Sequence, residues 1–225
     1  DVPFLRKDIR QVTPQEVLEL CKIGRGELDV LDGSPPCQGF STAGRMKVTD
    51  IRNELYVEFA RLIEGLQPKV FVMENVYGLV TGCMKGFFLQ MLKDLKDTGY
   101  IVKCKPLNAA NYGVPQNRQR LFFIGCRPDI ERSPEFPMPN GKRISASEAF
   151  RGLPKQTEDR SMKPWLKLAW KVIPPLCGSK KISEIFRQYK GSPGSSISTK
   201  KLDPGKPSPT LIKSEISVSG LMHYA

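Results

Sequence analysis

The chain has 225 residues, 40% of them apolar, and its 35 Lys and Arg against 23 Asp and Glu give a formal charge of +12. This length fits one large domain, or a medium domain with a small one, and the apolar share is enough for a core. No membrane span is expected because no run of 18 apolar residues occurs, and the opening DVPFLRKDIR lacks the apolar stretch of a signal peptide.

In chain order, the first predicted element is a helix starting at Thr13-Pro14-Gln15-Glu16. Thr13 caps it, Pro14 suits the first helical position, Glu16 completes a capping box, and the helix is expected to end near Gly24. Leu28 to Asp32 (LDVLD) reads as a buried strand stopped by the turn Gly33-Ser34-Pro35-Pro36. From Arg52 to Leu66 the residues Leu55, Phe59, Leu62, Ile63 and Leu66 recur at helical spacing. Lys69 to Asn75 (KVFVMEN) is a second strand, and Phe87 to Lys96 a helix closed by Gly99. Arg120 to Cys126 (RLFFIGC) is a third strand. Strands alternating with helices predict an α/β fold with a Rossmann-like, mostly parallel sheet.

Beyond about Arg127 the texture changes to Pro, Gly, Ser and Lys, with a capping box at Ser145-Ala146-Ser147-Glu148 and a helical stretch around Trp165 to Ile173. Two parts are expected, residues 1–128 and a smaller, loop-rich, basic domain over 129–225. Lys142 to Lys206 holds 15 basic and 5 acidic side chains. Such a field favours a polyanion, although a lysine-rich solvated surface accounts for it equally well. The six cysteines form no CxxC pair and there is one histidine, so zinc-ligand spacing is absent and no metal is expected. Scattered single cysteines point to a reducing compartment, with most of them core fillers.

In an open parallel sheet, ligands sit beyond the carboxyl ends of the strands. Cys37 follows the first predicted strand and Glu74 ends the second; Arg118 and Arg120 precede the third and, two apart in an extended chain, share a face. A thiolate, a carboxyl group and guanidinium groups in one cleft suit nucleophilic attack on an electron-poor heteroaromatic ring. A Cys–His hydrolase is disfavoured, because the only histidine, His223, lies in the polar C-terminal tail.

SPPCQGFS resembles the Pro-Cys-Gln motif of the cytosine-C5 methyltransferases, MENV their Glu-Asn-Val motif, and LNAANYGVPQNRQRLFFIG (Leu107 to Gly125) their Asn-Tyr-Gly…Pro-Gln-x-Arg-x-Arg segment. The three stand in family order, and the resemblance covers roughly Lys7 to Pro128. It implies a class I methyltransferase core and S-adenosylmethionine as methyl donor. It also implies a Cys37 nucleophile, Glu74 at the N3/N4 edge of a flipped-out cytosine, Arg120 on O2, Arg118 orienting Cys37, and Asn75 bracing the loop of Pro35 and Pro36. Gln38 to Arg45, with Ser41 in it, would close over the base. Asp8 would bind the adenine amino group and Ile9 its ring, with Pro35 and Leu55 also on the cofactor side; as plain structure, Asp8 would end a strand and Leu55 would be core.

Residues of about 140 to 205 take the place of a target-recognition domain, with Arg143, Arg151, Arg160 and Arg187 as candidate contacts to double-stranded DNA; for any single one, surface charge or a phosphate contact is the simpler role. The Phe-x-Gly-x-Gly motif of the family does not precede Asp8, and after Lys206 to Lys213, which resembles the approach to the ninth motif, the last two motifs do not appear. A fragment, a split or a degenerate form is therefore expected, with a second polypeptide as a candidate partner. Two alternatives stand beside this reading. One is a tRNA cytosine-C5 methyltransferase, disfavoured by Pro-Cys-Gln-Gly-Phe in place of Pro-Cys-Gln-Pro-Phe; the other is a non-catalytic DNA-binding remnant. The expected location is cytoplasmic at the nucleoid if prokaryotic, nuclear if eukaryotic.

Overall fold

The computed structural model describes residues 3–36, 55–152, 200, 201, 203–210, 221 and 222. The chain divides into two units: residues 1–107 with 119–138, and residues 108–118 with 139–225. The change of unit thus falls after Met138 rather than at 128, and the segment from Asn108 to Arg118 groups with the second unit.

The first unit is an α/β sheet with helices. Helix α1 (Pro14–Cys21) starts as its sequence dictates: the Thr13 hydroxyl accepts from the Glu16 N–H, and the Glu16 carboxylate accepts from the Thr13 N–H. It ends at Cys21, before the expected Gly24. Lys22 enters the left-handed region (φ 56°), and its N–H turns back to the Leu18 and Glu19 carbonyls. Strand β1 (Val30–Gly33) is followed by helix α2 (Leu55–Leu66) and strand β2 (Val70–Val76). Helix α3 (Lys85–Asp97) leads into strand β3 (Ile101–Asn108), then the two-residue β4 (Gln116–Asn117) and β5 (Gln119–Cys126).

The sheet order is β1-β2-β5-β3. Strands β1 and β2 run parallel in register Val30↔Val70 to Gly33↔Met73. Strand β5 runs antiparallel to β2, with Glu74 opposite Phe122 and Val76 opposite Arg120, so the sheet is mixed. Strand β3 lies where the apolar pattern predicts no strand. An alternation is nonetheless present, since Val102 is buried while Ile101, Lys103 and Lys105 are exposed.

The core of this unit is aromatic and aliphatic. Phe71, Met73, Phe123, Ile63 and Leu95 are fully buried, and Phe59, Phe71 and Tyr100 meet edge-on or tilted. Truncating Phe71 or Phe123 to Ala would cost about 3–5 kcal/mol. Two glycines make room for this core. A side chain at Gly125 would collide with the Phe71 ring directly across the ladder, and one at Gly33 would lie 2.4 Å from the Phe59 ring. Helix α1 packs Leu18 against Leu62 and Leu66 of α2. Cys104 and Cys126 are core fillers; burial pushes the Cys104 thiol up to about 12 and raises that of Cys126, so neither is a ready nucleophile.

The second unit is built on the segment from Asn108 to Arg118. Asn108 caps the 3-10 turn Ala109–Tyr112, which ends in the left-handed Gly113. Strand β4 pairs in parallel with strand β7 (Ser208–Pro209), and Thr210 donates to the Asn117 carbonyl at 2.8 Å. Helix α4 (Ala146–Ala149) is capped by Ser145, as its sequence predicts, but is a single turn. Lys200–Lys201 forms β6, paired with β8 (Leu221–Met222). The stretch Trp165 to Ile173 lies outside the described residues.

Candidate active site

Strand β2 alternates strictly: Phe71, Met73 and Asn75 are buried, while Val70, Val72, Glu74 and Val76 lie on a half-buried face. In β5, Arg120, Phe122 and Ile124 occupy the corresponding half-buried positions. Glu74 faces Phe122 across the ladder, and Arg120 stands two residues from Phe122, so Glu74 and Arg120 are diagonal neighbours. Their side chains meet: Arg120 Nε lies 2.6 Å from Glu74 Oε1, with about a quarter of the Glu74 side chain exposed. Arg120 Nη1 also donates to the Gln119 carbonyl at 2.8 Å. A half-desolvated carboxylate is thus gripped and oriented by a guanidinium group at the carboxyl end of β2.

Asn75 is the one buried polar side chain among the described residues, at 3% exposure. Its Oδ1 accepts from the Val76 N–H at 2.8 Å, and its Nδ2 donates to the Pro35 carbonyl at 3.4 Å. A buried amide must find such partners. The second bond ties the turn after β1 to the end of β2. Glu74, Arg120, Asn75 and Pro35 are therefore brought together at one end of the sheet. Cys37, Gln38, Ser41 and Arg45 follow Pro35 and lie outside the described residues, as do Arg160 and Arg187.

Arg118 is half-buried and immediately precedes β5. Its N–H donates to the Gln116 carbonyl two residues back, at 3.1 Å, so the chain turns there, and Arg118 groups with the second unit. In that unit Arg143 forks onto the Asn111 side-chain oxygen through Nε (3.2 Å) and Nη2 (3.1 Å), while Asn140 N–H donates to the Asn111 carbonyl at 3.1 Å. Arg151 is exposed.

Asp8 caps a 3-10 turn, Ile9–Gln11, rather than ending a strand. Its carboxylate accepts from Arg10 N (3.0 Å), Nε (2.9 Å) and Nη2 (2.6 Å). The Arg10 side-chain bonds, then the backbone bond, hold the Asp8 carboxyl down to about 2. A carboxylate offers about four acceptor positions, so one remains free for an amino hydrogen. Ile9 is 38% exposed, an apolar surface next to that acceptor. Leu55, half-buried, opens α2. These residues fit the adenine end of S-adenosylmethionine.

Sequence reasoning does not single out Arg61 and Glu58. Arg61 Nη2 donates to the carbonyls of Ile9 (3.0 Å) and Val12 (2.9 Å), and its Nε donates to Glu58 at 2.7 Å. The i,i+3 spacing of Glu58 and Arg61 on α2 is the available signal.

A mixed α/β sheet with an acid–guanidinium pair at the carboxyl end of a central strand defines an α/β domain with its candidate site where such sheets hold ligands. Comparison with known proteins narrows this: the family model for C-5 cytosine-specific DNA methylase matches residues 3–193, and the chain belongs to that family. It is 39% identical over 164 residues to the Type II methyltransferase M.DdeI of Desulfomicrobium norvegicum, covering 68% of this chain and 38% of that protein. To M.AquIA of Picosynechococcus it is 38% identical over 148 residues, covering 62% of this chain and 59% of the relative. The chain thus spans between about two fifths and three fifths of these relatives' lengths. In fold it resembles an E. coli prophage-encoded DNA modification methyltransferase (TM-score 0.61, 24% identity, 92% of this chain and 68% of that one). It also resembles Spodoptera frugiperda DNMT2 (TM-score 0.52, 22% identity, 77% and 52%).

Proposed function

We propose that this chain is the catalytic segment of a DNA cytosine-C5 methyltransferase that works through a covalent bond from Cys37 to carbon 6 of an extruded cytosine. The observation that carries the reading is the Glu74–Arg120 contact at 2.6 Å, one residue from the Asn75 that holds Pro35. Cys37 is two residues past Pro35, and two residues reach at most about 7 Å. A nucleophile, an acid and a guanidinium group then serve one cleft.

Cytosine C5 is a weak nucleophile. Addition of the Cys37 thiolate at C6 breaks the C5–C6 π bond and turns C5 into an enamine carbon. Glu74 grips the N3/N4 edge and supplies a proton or a hydrogen bond at N3, where negative charge develops. Arg120 fixes the O2 carbonyl. When bound, S-adenosylmethionine supplies an electrophilic methyl group; Asp8 and Ile9 would hold its adenine end, with Leu55 and Pro35 nearby. Loss of the C5 proton and expulsion of the Cys37 thiolate restore the aromatic ring. The target must leave the duplex to be reached. The excess of lysine and arginine between Lys142 and Lys206 supports the phosphate contacts this requires.

The test is a duplex oligonucleotide carrying 5-fluorocytosine, incubated with the full chain and S-adenosylmethionine. Fluorine cannot leave as a cation, so the adduct should persist on a denaturing gel. Cys37→Ser should abolish it. An undiminished adduct in that variant, or preferential labelling of tRNA over DNA, overturns the proposal.

A further inference from the structure

We propose that Arg61, buttressed by Glu58, is the positioning residue for the adenine end of the cofactor site; this rests on the cofactor reading above. Ile9–Gln11 is a single 3-10 turn, too short to hold its own geometry in water. It exposes Ile9 and the one remaining acceptor position of Asp8, the two features that fit an adenine ring. What secures it to the sheet-bearing body is α2. One Arg61 nitrogen, Nη2, donates to the Ile9 carbonyl at 3.0 Å and the Val12 carbonyl at 2.9 Å, gripping both sides of the turn.

The other side of the guanidinium group is spoken for. Nε donates to Glu58 Oε2 at 2.7 Å, so Arg61 cannot swing away without breaking an ion pair on its own helix. The turn itself is closed by Gln11 N–H to the Asp8 carbonyl (2.9 Å) and Val12 N–H to the Ile9 carbonyl (3.2 Å). The Ile9 carbonyl therefore takes Val12 from inside the turn and Arg61 from outside it. Helix α2 also carries Leu55, another of the residues assigned to the cofactor side. Arg61 thus links the two cofactor-side segments into one rigid piece. A lysine has a point charge and cannot hold two carbonyls and a carboxylate in fixed directions.

A control contact exists at the other end of the same helix, made from outside it. Arg25 donates through Nε to the Gly65 carbonyl (3.2 Å) and through Nη2 to the Glu64 carbonyl (3.0 Å), at the far end of α2. It is the same kind of contact, without the turn.

The experiment is calorimetric titration of S-adenosylmethionine into the full chain and into Arg61→Lys, Glu58→Gln and Arg25→Lys, with thermal melts and amide hydrogen exchange alongside. Arg61→Lys should bind about tenfold more weakly, the loss of one charge-assisted hydrogen bond, and Glu58→Gln about threefold more weakly. Arg25→Lys should bind like the unaltered chain despite a comparable fall in melting temperature. In the unaltered chain, ligand should slow exchange of the Gln11 and Val12 amides; in Arg61→Lys that protection should be lost. Unaltered affinity in Arg61→Lys, or an equal loss in Arg25→Lys, overturns the assignment to Arg61 alone. No binding by the unaltered chain overturns the cofactor reading, and Arg61 with it.

Discussion

The two ends of strand β2 are built differently. At the amino end the connections are dense, and most of them clamp backbone carbonyls. Arg127 donates to the Gly26 carbonyl at 3.0 Å and to the Gln67 carbonyl, its own N–H reaches the Lys69 carbonyl at 2.9 Å, and Tyr100 donates to the Pro68 carbonyl. At the carboxyl end the contacts among the described residues are side-chain pairings partly open to water, among them the ion pair between Glu74 and Arg120 and the long hydrogen bond from Asn75 to Pro35. The lesson is a division of labour. One end closes the ladder with clamps on backbone carbonyls, while the other keeps a half-buried carboxylate and guanidinium group that can change partners.

This contrast is best broken by substitutions that cross it. The largest effect is expected from Glu74→Gln, which should lower methyl transfer to DNA at least about 100-fold while leaving the urea midpoint close to that of the unaltered chain. A large stability loss with intact transfer would reverse the roles of the two ends. Next is Arg127→Met, expected to cost about 2–3 kcal/mol by urea unfolding, because two backbone carbonyls lose a charged donor. Its folded fraction should still trap 5-fluorocytosine DNA normally.

Tyr100→Phe should cost about 1 kcal/mol at neutral pH. Burial raises the Tyr100 hydroxyl from 10.0 to about 12. A group with a raised folded value contributes stability that is full below its unfolded value and is lost as pH climbs through the folded one. The unaltered chain should therefore lose that increment between about pH 10 and 12, and the Phe variant should lose less over the same window in an alkaline unfolding series. Smallest of all, Lys69→Met removes an exposed ion pair to Asp29 at the same end. It should leave the melting temperature unchanged, since such pairs are screened and mobile; a measurable drop would show that the amino end depends on surface charge as well as on its carbonyl clamps.

Much of this is legible in the sequence, for reasons that differ by element. The Thr13–Glu16 capping box is local chemistry and forms as its residues predict. Strands β1, β2 and β5 follow from apolar runs, each within two residues of its described limits. The direction of β5 is not legible, because polarity in a sheet depends on the path of the connection and not on the strand's composition. Strand β3 escapes a sequence reading because Lys103, Lys105 and Pro106 break its apolar signal. The end of α1 falls short of the expected glycine because Lys22 takes the left-handed turn instead. At the site, motif singles out Glu74 and Arg120, but their diagonal pairing needs the register of β2 against β5.

The hydrogen atom that stands in place of a side chain at Gly33 also sets a boundary for redesign. The Phe59 ring fills the space a methyl group would need, and the turn that leads to Pro35 and Cys37 departs from that point. A mutagenesis library built around this turn should keep this position invariant, since even a single methyl group has nowhere to go.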